Sequence, residues 1–174
     1  MAGTRCLSQL SDPVPFEGIL LIYLHTMPVL DRFYSAFARH DWATMAACYH
    51  NDAHFSDPVF PDLDAAGVRA MWKMLVTSGT DLKLEFKVLE ESANGGMVHW
   101  EARYTFSKTQ RPVHNIIAAR FTIQDGLIIA HTDQFDFWCW SRQALGITGT
   151  ILGWTPIVRD SVRAQAAKSL QKWM

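Results

Sequence analysis

Asp57 and Asp133 are the two carboxylates whose neighbours mark them for chemistry. Asp57 ends the apolar-alternating stretch Ala53–Ser56 and precedes Pro58. A carboxylate at the mouth of an apolar cavity loses hydration, which raises its basicity and suits it to proton transfer. The other reading is that Asp57 caps the Asp-Pro turn, a task Asp performs well. Asp133 lies in His131-Thr132-Asp133-Gln134-Phe135-Asp136-Phe137. If this stretch is extended, His131, Asp133, Phe135 and Phe137 share one face. A charge alternating with phenylalanines fits a face that borders a wet pocket, or one where Asp133 pairs structurally with a nearby Arg or His. His131, at the same parity, can form a dyad with Asp133.

His114 and Asn115 are adjacent on a strand-like run, so one of them faces the interior and the other faces out. A neutral His there can act as acid or base near neutral pH. Glu101 and Arg103 are the charged residues of a neighbouring run, on the face opposite the apolar set Trp100, Tyr104 and Phe106. His50 and His54 are four apart but straddle an expected helix end, so they do not form a helical metal-binding pair. No Gly-rich phosphate loop and no Gly-x-Ser-x-Gly elbow occurs. Neither a metal nor a cofactor is expected.

The elements that must position these residues follow from periodicity. Pro28 suits a first helical turn, and Leu30, Phe33, Tyr34 and Phe37 form one helical stripe. Asp41 is a candidate N-cap for a second helix with stripe Trp42, Met45, Ala46 and Tyr49. Ala53–Ser56 reads as a short strand. Asp64 caps a third helix with stripe Val68, Met71, Trp72, Leu75 and Val76, stopped near Gly79. The period then changes from 3.6 to 2. Leu82–Val88 alternates, Asn94-Gly95-Gly96 signals a tight turn, and Val98–Phe106 alternates again. Val113–Ile123 and Leu127–Trp138 are two further strands joined at Asp125-Gly126. Ser141–Leu145 is helical, Gly146, Gly149 and Gly153 break the chain, and Pro156–Trp173 forms a last helix. Helices segregated from an antiparallel meander make an α+β fold. With curvature the sheet and helices enclose a cone with an internal cavity.

This order and three local stretches resemble the nuclear transport factor 2-like superfamily, within it the SnoaL-like branch of ketosteroid isomerases, polyketide cyclases and limonene-epoxide hydrolases. Phe33–Asp41 followed by Trp42–Tyr49 is similar to the paired N-terminal helices. Asp52–Val59 resembles the stretch that carries the isomerase's general base. Asp125-Gly126-Leu127 leading to His131–Asp136 resembles the last strand of the epoxide hydrolases. The resemblance implies a cystatin-like cone with three N-terminal helices packed on a strongly curved antiparallel sheet, and a homodimer. It implies that Asp57 matches the proton-shuttling Asp and Asp133 the Asp of the hydrolase strand. The isomerase's helix-1 hydroxyl falls on Phe33, with Tyr34 one residue later. Its late-strand acid falls near Ala119. Losing one oxyanion donor typically costs about 10²–10³ in rate, so ordinary steroid isomerisation is not expected.

Three segments are expected: an N-terminal extension over 1–26, a SnoaL-like domain over 27–145, and a C-terminal helical tail over 146–174. The first has a short apolar run, Gly18–Leu24, without a convincing cleavage site, so it does not read as a signal peptide. A hydrophobic content of 49% against 19% charged residues supports a packed core. A net charge of −1 without a Lys/Arg cluster argues against nucleic acid and membrane partners. Cys6, Cys48 and Cys139 are odd in number and form no CxxC pair, as in a reduced, cytoplasmic protein. The expected catalytic residues are Asp57, Asp133 and His131. The expected lining of a hydrophobic substrate is Phe33, Tyr34, Phe55, Trp72, Trp100, Tyr104, His114, Asn115, Phe135 and Phe137. The function that follows is a small enzyme of isomerase, cyclase or epoxide-hydrolase type, performing proton transfer or water addition. The alternatives are a non-catalytic binder of an apolar metabolite and an interaction scaffold.

Overall fold

The computed structural model describes residues 27–174, so the expected extension over 1–26 and Cys6 lie outside the described residues. Three helices come first: α1 (Val29–Ala38), α2 (Trp42–Ala47) and, after β1 (Tyr49–Ser56), α3 (Ala65–Ser78). The meander follows as β2 (Lys83–Ser92), β3 (Gly95–Phe106), β4 (Arg111–Gln124) and β5 (Leu127–Gln134). Helices α4 (Phe137–Leu145), α5 (Ile147–Leu152) and α6 (Pro156–Leu170) close the chain.

The α1 stripe is buried as its spacing requires: Leu30, Phe33, Tyr34 and Phe37 are all at or below 2% exposure. The N-terminus of α1 has no side-chain cap of its own. Glu91 of β2 serves instead, accepting the Leu30 N–H at 3.1 Å. Asp41 and Asp64 cap α2 and α3, accepting the N–H groups of Thr44 (3.1 Å) and Gly67 (2.7 Å).

The sheet runs β1-β5-β4-β3-β2. Its last four strands are the expected antiparallel meander, while β1 pairs with β5 in parallel. Strand β1 is longer than Ala53–Ser56. Tyr49 belongs to it and faces the core, not to the α2 stripe, and Trp42 of that stripe is 38% exposed. The β2–β3 turn is Ala93-Asn94, and Gly95 and Gly96 already pair within β3. A side chain on Gly95 would stand 2.4 Å from the Phe121 carbonyl oxygen, so glycine permits the close strand approach.

The largest departure is at the end of β5. The strand stops at Gln134 because Asp136 caps α4, accepting the Cys139 N–H at 2.9 Å. Phe137 therefore starts a helix and does not continue the face of Asp133. Helix α4 runs beside the first half of β4, where β5 no longer reaches. The Gln143 side-chain amide takes over strand pairing there: its Oε1 accepts the His114 N–H at 2.7 Å and its Nε2 donates to the His114 carbonyl at 3.0 Å. Gly149 and Gly153, expected as breaks, let α5 pack on α4. A Cβ at Gly149 would overlap the Ser141 carbonyl. The glycine that does turn the chain is Gly146, at φ 62°.

Candidate active site

Between the sheet, α3 and the C-terminal helices lies a cavity of about 510 Å³. Phe55, Trp72, Trp100, Tyr104, Asn115 and Phe135 line it, together with Asp57 and Asp133. The sheet register explains which residues reach it. Trp100, Ala102 and Tyr104 of β3 pair with Ile117, Asn115 and Val113 of β4, all on the inner face. His114 falls on the outer face, where its Nε2 lies 2.7 Å from Glu101 Oε2, and Glu101 also pairs with Arg103. Of the His114–Asn115 pair, Asn115 is the one on the cavity wall.

Asp57 sits in the turn after β1. One carboxylate oxygen, Oδ1, accepts the N–H groups of Val59 (2.6 Å) and Phe60, so the turn-capping reading is correct for this oxygen. Oδ2 has no hydrogen-bond partner among the described residues and belongs to a side chain on the cavity wall. Burial pushes the carboxyl up to about 7, and the Asp133 charge adds to the rise. The two turn N–H groups and Arg163 pull the other way. Arg163, from α6, also donates from Nε to the Pro58 carbonyl at 3.0 Å and ties the turn to the last helix.

Asp133 is held differently. It is 4% exposed, and its Oδ1 accepts from His131 Nε2 at 3.0 Å and Trp100 Nε1 at 3.3 Å. His131 Nδ1 lies 2.6 Å from the Tyr49 hydroxyl, which in turn accepts from Trp72 Nε1 at 2.9 Å. The donor count fixes the directions. Indole N–H groups only donate, so the Tyr49 oxygen accepts from Trp72 and its proton goes to His131 Nδ1. His131 then carries its proton on Nε2 and gives it to Asp133. In this arrangement both ring nitrogens and the Tyr49 hydroxyl have a partner. Phe55, Phe121, Trp72 and Phe33 pack around the imidazole and keep the chain dry.

The expected lining thus divides. Phe33 and Tyr34 are fully buried in the core and off the cavity wall. The Tyr34 hydroxyl has no hydrogen-bond partner among the described residues, and burial raises it well above its ordinary range. His131 backs Asp133 from within the core. Phe137 packs with Val113, Trp140, Ala144 and Val158 in a separate cluster, because the helix begins before it.

Sequence reasoning missed Tyr49, taken for a helix residue. It also missed Trp140 and the chain's end as cavity wall: Val162, Gln165 and Ala166 of α6 and Trp173 beyond it all line the cavity. The Tyr104 hydroxyl accepts from Trp140 Nε1 at 2.9 Å, which leaves its own proton free to donate. Burial raises Tyr104 above its ordinary value and keeps it a neutral donor. The parity of Tyr49 with Ala53 and Phe55 was the available signal for β1. Among the described residues, no group of three or more His, Cys, Asp or Glu side chains could hold a metal ion, and no helix is long and apolar enough to cross a membrane.

A curled sheet backed by helices around an acidic, aromatic-walled cavity defines a cone-shaped α+β protein of the nuclear transport factor 2-like kind. The chain belongs to the SnoaL-like domain family, whose sequence model matches residues 30–131. Among solved structures it is similar to IdmH, described as "a putative polyketide cyclase from Streptomyces antibioticus", at 20% identity and TM-score 0.56 over 68% of this chain and 96% of that one. An LEH-like epoxide hydrolase of M. tuberculosis matches at 15% identity and TM-score 0.53, covering 71% and 92%. TerC, crystallised with polyporic acid, matches at 16% and 0.58, covering 68% and 96%. At these identities the likenesses establish the fold. No curated protein matches the chain.

Proposed function

We propose that this protein is an enzyme of the isomerase, cyclase or epoxide-hydrolase type, acting on a hydrophobic, ring-bearing small molecule by proton transfer or water addition. The observation that carries this reading is that two carboxylates, whose Oδ2 atoms have no hydrogen-bond partner among the described residues, face one aromatic cavity while one of them is poised near neutral pH. Asp57 acts as the base. Its ionised form takes a proton from carbon or from a water, and its raised basicity makes that transfer effective at neutral pH. Tyr104 donates its free hydroxyl to the oxygen that becomes negative, a role for which the expected oxyanion acids are missing at Phe33 and Ala119. Asp133, steadied by His131 and Trp100, accepts a substrate hydroxyl or a second water. Asn115 supplies an amide for orientation. The tail over 146–174 works as one unit with the domain over 27–145, since α6 supplies part of the wall. The chain pairs as a homodimer through the outer face of the sheet, and the free thiols of Cys48 and Cys139 fit a cytoplasmic setting.

The test is a mass-spectrometric screen of two probes, a polyketide-type aromatic β-keto ester and a cyclic terpene epoxide, for aldol closure or addition of water. Turnover of either by the wild type, lost in Asp57→Asn while the probe still binds, is the expected result. Binding of the probes with no turnover in any protein would favour a non-catalytic binder, the second reading that an aromatic cavity allows.

A further inference from the structure

The helices α4, α5 and α6 form a cover with two apolar faces. Trp140, Leu145 and Val162 point inward and wall the cavity. On the outside, Ile147 and Ile157 are each 80% exposed, Trp154 66% and Ile151 62%. Trp138 Nε1 donates to the Thr150 carbonyl at 3.3 Å and Trp154 Nε1 to the Ile151 carbonyl at 3.0 Å. The indoles are thereby pinned against α5, and the exposed apolar side chains are spread from α4 through α5 to the start of α6. Large aliphatic groups collected in this way mark an interaction surface.

The rim of the patch is basic. Arg142 lies 4.5 Å over the Trp138 ring, Arg159 lies over Phe137, and the Arg111 guanidinium lies against Gly146. Arg111 and Arg142 line a shallow groove of about 360 Å³ with Pro112, Cys139 and Gln143. The nearby acids are engaged elsewhere: Asp136 caps α4 and Asp160 faces Arg163. The cations placed at this face are Arg111, Arg142 and Arg159, a local basic rim in a chain of net charge −1. A second copy docked face to face would set these arginines against themselves, because a two-fold contact repeats the same patch on both sides.

We propose that the outer face of this cover docks on an anionic lipid surface, with the isoleucines and tryptophans entering the headgroup boundary and the Arg111–Arg142 groove receiving a lipid phosphate. Exposed Trp and Ile beside Arg is the composition that such a boundary selects. The inference does not depend on the reaction inside the cavity.

The experiment is co-sedimentation of the full chain with vesicles of phosphatidylcholine alone and of phosphatidylcholine with an equal part of phosphatidylglycerol. Binding to the anionic vesicles is expected, with little to the neutral ones. Ile147→Ser/Ile157→Ser should lower partitioning by about tenfold or more, from the lost apolar burial. Arg142→Gln should lower it by about fivefold, the weight of one cation near such a surface. All three positions are surface residues, and an unchanged thermal melt shows that the fold is kept. Inorganic phosphate should displace the protein no better than chloride at equal ionic strength; stronger displacement would indicate a free-phosphate site and overturn the proposal. So would absence of vesicle binding, equal binding to both vesicle types, or binding unchanged by the isoleucine substitutions. A dimer dissolved by those substitutions, with no vesicle binding, would assign the face to a second copy.

Discussion

Asp57 and Asp133 face one cavity, yet their surroundings have little in common. Asp57 stands in a turn, with one oxygen tied to backbone N–H groups and the other bare, and burial brings its titration to about 7. Asp133 stands on a central strand with two ring N–H groups on one oxygen, and behind it runs a chain of side chains that ends at Trp72. The difference is between a carboxyl held by a turn's backbone and one held by buried ring N–H groups. Paired acids with divergent environments are how a site separates the group that moves protons from the group that sets the field.

The largest effect expected from that division is on turnover. Asp57→Asn keeps an oxygen for the Val59 and Phe60 N–H groups but removes the base. It should cut kcat by about 10²–10⁴ while the affinity for a bound aromatic probe stays within a few fold. Equal losses in Asp57→Asn and Asp133→Asn would erase the distinction between the two acids.

The second effect is on stability against pH. Asp57 is raised in the folded protein, so the folded state holds its proton over a range in which the unfolded chain has released it. Stability from this group is therefore full below about pH 4 and declines as pH rises to about 7, by about 4 kcal/mol in total. Asp57→Asn has no such group. Its melting temperature should gain on the wild type between pH 4 and 7, and a constant difference across that window would mean that burial does not shift Asp57.

How far the sequence revealed this pair is itself informative. Helical stripes, the Asp41 and Asp64 caps and the alternating meander were legible because they are local and periodic. Asp57 was legible as a carboxylate at the end of a strand, and Asp133 as a charge out of place among phenylalanines. Tyr49 was not, since three polar residues separate it from the alternation of Ala53 and Phe55 and it also fits a helical spacing. The end of β5 was hidden because Asp136 as a strand residue and Asp136 as an N-cap look alike until Gln143 is seen to take the place of a strand. The cavity's last wall depends on where α6 returns, and no spacing within residues 156–173 states that.

The third prediction concerns the support behind Asp133. His131→Phe preserves ring volume but strips Asp133 of one donor and Tyr49 of its acceptor. With the groups buried, the loss should be about 2–4 kcal/mol in chemical denaturation. A loss below about 0.5 kcal/mol would mean that the chain of donors does not bear on stability.

The smallest single effect belongs to Trp100→Phe. Its indole N–H reaches Asp133 at 3.3 Å, longer than the histidine contact, and His131 continues to hold the same oxygen when it is removed. About 0.5–1.5 kcal/mol is expected, the weight of one ordinary hydrogen bond. The double variant is the sharper measurement. With His131→Phe and Trp100→Phe together, Asp133 has neither ring donor, and its buried oxygen is left unsatisfied. The combined loss should then exceed the sum of the single losses by about 1 kcal/mol or more, a coupling that residues sharing one partner are expected to show. Simple additivity would mean that the two rings do not act on a common group, and Asp133 would differ from Asp57 in burial alone.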